Sequence, residues 1–130
     1  IGYSKDFNGF ELQKALGKRD LEHSFRIIRY MASNFKKHPI TITITILFNF
    51  FQKLLLFQGL PSPSKAPAVL GVSPYFVKDY QAAASFYSMK QIAQVIGHIK
   101  EADMKSKGVG AQNISTEELL KELIIKIISS

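Results

Sequence analysis

Few residues in this 130-residue chain are of types that do chemistry, and their spacing limits what they can do. There is no cysteine, which excludes disulfides, thiolate metal sites and a cysteine nucleophile. His23, His38 and His98 stand far apart. None has a second histidine at i+4 or a carboxylate pair at ligand spacing, so no metal site is predicted. No G-x-S-x-G nucleophile context occurs. Gly17-Lys18-Arg19 has the look of a phosphate loop, but Arg19 occupies the hydroxyl position and Leu12 the position of the first glycine. Gly108 and Gly110 follow no strand and make no dinucleotide fingerprint. Asp103 lies among Lys100, Lys105 and Lys107, which reads as structural charge pairing rather than as an acid catalyst. The expectation is a domain with no catalytic residue, no cofactor, no metal and no small-molecule substrate.

Charge offers a different kind of chemistry. Seventeen Lys and Arg against ten Asp and Glu give a net charge of +7, which permits contact with an acidic partner such as nucleic acid. The candidate contacts are Arg19, Arg26, Arg29, Lys36 and Lys37, in or beside one basic helix; the plain alternative is a solvated surface. A second nucleic-acid signal is the corner from Ala68 to Tyr80. There Leu70-Gly71-Val72-Ser73 and then Val77 suit a helix-turn-helix. The side chains it would offer a groove are Pro74, Tyr75, Lys78 and Gln81, with one cation and no arginine. Pro67 also interrupts its first helix, which favours a corner used for packing.

The elements that must position these residues centre on Pro39 to Leu60. The Ile–Thr alternation over 40–46 suggests a strand, but Ile40, Ile44, Leu47, Phe51, Leu54 and Leu55 also fall at helical spacing. Ile42, Ile46, Phe50 and Phe57 load the opposite face, as in a buried helix or a membrane span. Asn49, Gln52 and Lys53 disfavour the span, and no membrane partner is expected. Pro39 is placed at the first helical position. Upstream, Asp6 is read as capping a short helix that Gly17 stops, and Asp20 as capping a helix over 21–35 with a stripe of Leu21, Phe25, Ile28, Met31 and Phe35. Downstream, Leu60 to Pro67 is a proline-rich break. Ser73–Pro74 and Ser88 start the next two helices. Met104 to Ser115 reads as a polar loop. Ser115 with Glu118 is a capping box for a last helix with Leu119, Leu120, Leu123, Ile124, Ile127 and Ile128 on one side. The reading is all-α: a compact single-domain bundle of about six or seven helices, residues 1–130, around a central apolar helix. A start at Ile1 rather than Met suggests a piece of a longer chain.

Four stretches in order carry a family resemblance. They are FELQKALGKRDLEHSFRIIRYMASN (Phe10 to Asn34), AVLGVSPYFVKDYQAAASFYS (Ala68 to Ser88), EADMKSKG (Glu101 to Gly108) and ELLKELIIKI (Glu118 to Ile127). Together they resemble the C-terminal domain of the delta subunit of bacterial DNA polymerase III, with Asp103 to Gly108 the most telling local piece. The resemblance implies a non-catalytic helical collar domain of the clamp loader, in the bacterial cytoplasm. It also implies ATPase-like modules in a missing N-terminal part. The implied partners are the tau/gamma and delta-prime type subunits through the collar, and the sliding clamp and primed DNA through the missing part. The docking faces expected on this reading are Leu56 and Phe57 at the end of the core helix, and Leu120, Ile124 and Ile128 on the last helix.

Overall fold

The computed structural model describes residues 7–109 and 114–130. The cap assigned to Asp6 and the middle of the loop expected before Ser115 lie outside the described residues. Among the described residues there are seven α-helices and no strand. They are α1 (Gly9–Gly17), α2 (Leu21–Ala32), α3 (Ile40–Gln58), α4 (Ala66–Leu70), α5 (Val77–Ala84), α6 (Met89–Ser106) and α7 (Thr116–Ile128). Short 3-10 turns at Pro63–Lys65 and Pro74–Phe76 lead into α4 and α5.

Side-chain caps set most helix starts. Asn8 Oδ1 accepts from the Glu11 N–H at 3.0 Å and Asp20 Oδ1 from the His23 N–H at 3.0 Å. Such caps contribute about 1 kcal/mol each. Ser88 and Gln91 form a complete capping box, at 3.1 and 2.8 Å. The box expected at Ser115 is only half made. Ser115 Oγ accepts from the Glu118 N–H at 3.1 Å, but the Glu118 carboxylate takes the Ser115 hydroxyl and not its backbone N–H.

Several boundaries differ from the expected ones. Pro39 is the N-cap of α3, not its first residue, and its carbonyl accepts from the N–H groups of Ile42 and Thr43. Helix α2 stops at Ala32 rather than Phe35. The Ser33 hydroxyl donates to the Tyr30 carbonyl at 2.7 Å, a local bond that competes with continuation of the helix. The Ile–Thr run is helical, and the Thr45 hydroxyl donates to the Thr41 carbonyl at 2.8 Å.

Helix α3 is the hub of the bundle. It packs on α6, α1, α5 and α4; α6 packs on α7, α7 on α2 and α1, and α2 on α1. Helices α1, α3, α6, α7 and α2 thus close a ring around one core. Leu12, Leu16, Ile28, Met31, Leu47, Phe51, Ile99 and Leu120 are fully buried in it; burying a side chain of this kind stabilises by about 1.5–3 kcal/mol. Helix α3 points Thr43, Ile44, Leu47, Phe50, Phe51, Leu54 and Phe57 inward. Its other side is open: Thr41, Ile42, Thr45, Asn49, Gln52 and Leu56 are exposed. Of the four residues expected on a second buried face, Phe50 and Phe57 are inside, Ile46 is half-buried and Ile42 is 57% exposed. By length and composition α3 could cross a membrane, at mean hydropathy 1.7; here its inner face is occupied by the other helices. Aromatic rings tie α3 to α5 and to the joint that follows it. Phe50 stacks on Tyr80 with centroids 4.9 Å apart, and Phe51 meets Tyr87 edge-on at 5.4 Å.

Candidate functional site

The densest polar arrangement lies where three chain joints meet. Helix α1 ends with the Asp20 N–H on the Ala15 carbonyl at 2.9 Å and the Arg19 N–H on the Leu16 carbonyl at 3.0 Å. That pattern needs a left-handed residue between them, and Arg19 is that residue, with φ 55°. Gly17, the expected stop, is instead the last helical residue. It is pressed against α5 and α3: a Cβ there would lie 3.4 Å from Ala83 Cβ and 3.5 Å from the Phe50 ring.

The left-handed turn aims the Arg19 side chain inward along the bundle. Its Nε donates to the Phe86 carbonyl at 2.9 Å, Nη1 to the Ile128 carbonyl at 2.7 Å and Nη2 to the Ser130 carbonyl at 3.1 Å. The guanidinium carbon stands 4.2 Å from the centre of the Tyr87 ring, within cation–π range. The Tyr87 hydroxyl donates to the Leu16 carbonyl at the end of α1. Burial pushes the Tyr87 phenol up to about 12, with the Arg19 charge acting against that rise. Gln58 completes the node by donating to the Ala84 and Tyr87 carbonyls. The end of α1, the joint between α5 and α6, and the end of α7 are therefore held together by Arg19, Tyr87 and Gln58.

Arg19, expected as a nucleic-acid contact, turns its donors to the chain's own carbonyls. Arg26 is paired with Glu22 at 3.1 Å. Arg29, Lys36 and Lys37 are exposed and make no ion pair among the described residues. The five cations therefore do not form one free basic stripe. The corner at 68–80 exists, with Gly71 at φ 68° and the Val72 N–H returning to the Pro67 carbonyl at 3.2 Å. Its first helix, α4, is only five residues long.

The expected docking residues also separate. Leu120 and Ile124 lie in the core with no more than 1% exposure, because the stripe of α7 faces both α2 and α6. Phe57 is buried beside Tyr80. In this fold these three face the chain's own core. Ile128 is half-buried and Leu56 is 52% exposed. Ile125, one position from Ile124, is 51% exposed and is the outward apolar residue of α7 that periodicity missed.

Between α6 and α7 runs an alternating charge network. Lys105 meets Glu122 at 2.7 Å, and Lys126 meets Glu122 at 3.2 Å and Glu101 at 2.6 Å. Hydrogen bonds from Lys126 to Glu101, and from Lys105 and Lys126 to Glu122, hold both carboxyls below their ordinary value. A groove of about 270 Å³ between α3 and α6 holds one carboxylate, Asp103, which is paired with Lys107 at 2.9 Å. Among the described residues no three His, Asp or Glu side chains come together as metal ligands. The arrangement offers packing surfaces and charge pairs.

The Arg19 node had one legible signal. Only Lys18, Arg19 and Asp20 separate α1 from α2, so one of them must turn left-handed, and Asp20 is committed to capping. A family model for the C-terminal domain of the DNA polymerase III delta subunit matches residues 6–127. Neither the curated proteins nor the solved structures give a match.

Proposed function

Starting from the fact that the chain belongs to the family of C-terminal domains of the DNA polymerase III delta subunit, we propose that it is the collar domain through which delta joins its neighbours in the clamp loader. It is a non-catalytic part of a cytoplasmic bacterial replication assembly. Its partners are the tau/gamma and delta-prime type subunits. The sliding clamp and primed DNA belong to modules outside these 130 residues.

The observation that carries the reading is the family match over nearly the whole chain. The structure supports it in one respect. The core is closed by the chain's own helices, yet α3 keeps an outward stripe that includes Ile42 and Leu56, as an assembling helix requires. Of the docking residues expected from sequence, Leu56 and Ile128 remain available, and Ile42 and Ile125 join them. The alternative, a basic nucleic-acid module, is less favoured because Arg19 is engaged at the α7 end.

The test is co-expression of this chain with the other loader subunits of the same bacterium. A stable co-purifying complex is expected. Leu56→Glu should weaken it at least tenfold, about 1.4 kcal/mol, with the circular dichroism of the chain unchanged. A chain that folds but never joins them refutes the reading. Binding of duplex DNA with a steep salt dependence, unaffected by Leu56→Glu, would favour the alternative.

A further inference from the structure

Beside α1 lies a surface that neither the node nor the stripe of α3 explains. A depression of about 450 Å³ opens between α1 and the segment that leads into α5, with Phe10, Val72, Phe76 and Tyr80 as its apolar walls. A second, of about 240 Å³, lies between α1 and α3 and shares Phe10, Gln13 and Tyr80 with the first. A narrow third shares Lys14 and Asp79 with the first and Phe50 with the second. The first two make one trough beside the start of α1, and the third, a crevice of about 10 Å³, continues it to Lys18; from Phe10 to Lys18 is about 12 Å at 1.5 Å per residue, or two helical turns. Phe10 is 62% exposed and Phe76 47%. Two large rings left open on one trough mark an interaction site better than the same rings scattered.

The charges on its rim favour one sign of partner. Glu11 is already neutralised by Lys14 at 3.6 Å. That leaves Asp79 against Lys18 and Lys53, which line the trough. Neither of these two lysines has an ion pair among the described residues.

We infer that this trough binds an amphipathic helix of another protein, with an apolar ridge that seats between Phe10 and Phe76 and with carboxylates facing Lys18 and Lys53. A single-stranded nucleic acid fits less well, because Glu11 and Asp79 stand on the same rim where a phosphate chain would run. The inference does not depend on the collar reading: the trough is formed by α1, α5 and one edge of α3, which meets the outer stripe at Asn49 but does not include Leu56.

The experiment uses this chain and a fluorescein-labelled helical peptide of about 16 residues, with Leu at every third or fourth position and Glu on the flanks. A second peptide carries Lys in place of Glu, and a short oligothymidylate serves as the third probe. Anisotropy titration at about 50 mM salt should give saturable binding of the Glu peptide, at least tenfold tighter than the Lys peptide. Phe76→Ser and Phe10→Ser should each weaken it about tenfold, and the Lys18→Glu, Lys53→Glu double variant about fivefold. All these side chains are exposed or line the surface, and circular dichroism checks that each variant stays folded. Leu56→Ser, outside the trough, should leave the affinity unchanged. The inference is overturned if the Glu peptide does not bind, if the Lys peptide binds equally, if Phe76→Ser has no effect, or if the oligothymidylate competes with equal affinity. Loss of peptide binding with intact co-purification would sink this inference alone.

Discussion

Replacing Arg19 tests the claim that one side chain joins three helix ends. Arg19→Ala removes the donors to the Phe86, Ile128 and Ser130 carbonyls and the contact with the Tyr87 ring. A hydrogen bond to a charged group contributes about 1.5–3 kcal/mol when sheltered. One of the three is exposed and the other two are only part-buried, so water replaces part of each. About 1 kcal/mol per bond is the fitting value, for a total loss of about 2–4 kcal/mol. Alanine must also keep the left-handed backbone at φ 55°, at a cost of about 1 kcal/mol that glycine avoids. Stability should therefore fall in the order wild type, Arg19→Gly, Arg19→Ala. Arg19→Lys keeps a cation at the end of α7 but not the three-way fork, and should fall between wild type and glycine. Urea unfolding followed by circular dichroism measures the differences, provided the slope m does not change. In a thermal scan the alanine variant should melt roughly 6–20 °C lower, at about 3–5 °C per kcal/mol for a chain of this size. Hydrogen exchange should show lost protection at the last turn of α7 and the joint before α6 while the middle of α3 is unchanged. An alanine variant within about 0.5 kcal/mol of wild type would refute the role of the guanidinium. A glycine variant less stable than alanine would refute the backbone part of the argument.

Acid should weaken the α6–α7 contact. Glu101 and Glu122 are held below their ordinary value of 4.5, chiefly by hydrogen bonds from Lys126 and Lys105 respectively. Their contribution is complete above that value and is lost as pH falls through the folded-state values. Lys126 is raised above 10.5, first by its hydrogen bond to Glu101, so its contribution is complete below 10.5 and fades as pH rises through the folded-state value. Lys126→Met should flatten both limbs of a plot of melting temperature against pH; an unchanged acid limb would show that the network is not its source. Two glycines should respond with opposite sign. Gly71→Ala, at φ 68° with no steric neighbour, should lose about 1 kcal/mol through backbone strain. Gly97→Ala, in the middle of α6 with open space around it, should gain about 0.5–1 kcal/mol in urea unfolding. Finally, Ile124→Ala in the core should cost about 2–5 kcal/mol, whereas Leu56→Ala should stay within about 0.5 kcal/mol; equal losses would refute the different placement of the two.

The helices were legible because their signals are local. Asp20, Ser88 and the stripe from Leu119 to Ile127 depend on spacings of three and four residues along one chain segment, and each has its expected place. Side-chain partners across the fold were not legible for the same reason. Nothing local to Lys18-Arg19-Asp20 says that the guanidinium will reach carbonyls more than a hundred residues away in sequence. Periodicity also marks which face of a helix is apolar without saying how much of that face the rest of the chain covers. On α7 both flanks of the stripe meet partners, so Leu120 and Ile124 vanish into the core and the outward position falls to Ile125. On α3 the inner side is covered by other helices and the outer side is open. The same hydrophobic run thus yields core residues and exposed ones.

That difference bears on what kind of partner α3 can accept. Ile42 and Leu56 lie on one outward side, fourteen positions apart, which is about 21 Å along the axis. Between them stand Thr45, Asn49 and Gln52, uncharged side chains, with half-buried Lys53 at the edge that adjoins the trough. A loop or a single inserted side chain could shield one end but not both. A neighbouring helix laid along α3 covers both and meets mostly hydroxyl and amide groups on the way, provided it leaves Lys53 in water. The outer stripe therefore suits helix-on-helix association of the collar kind. The trough beside α1 extends for only two turns, has lysines on its rim and aromatic walls, and suits a short acidic helix. A partner able to use one surface has the wrong length and charge for the other, so the two should be separable by substitution at Leu56 and at Phe76.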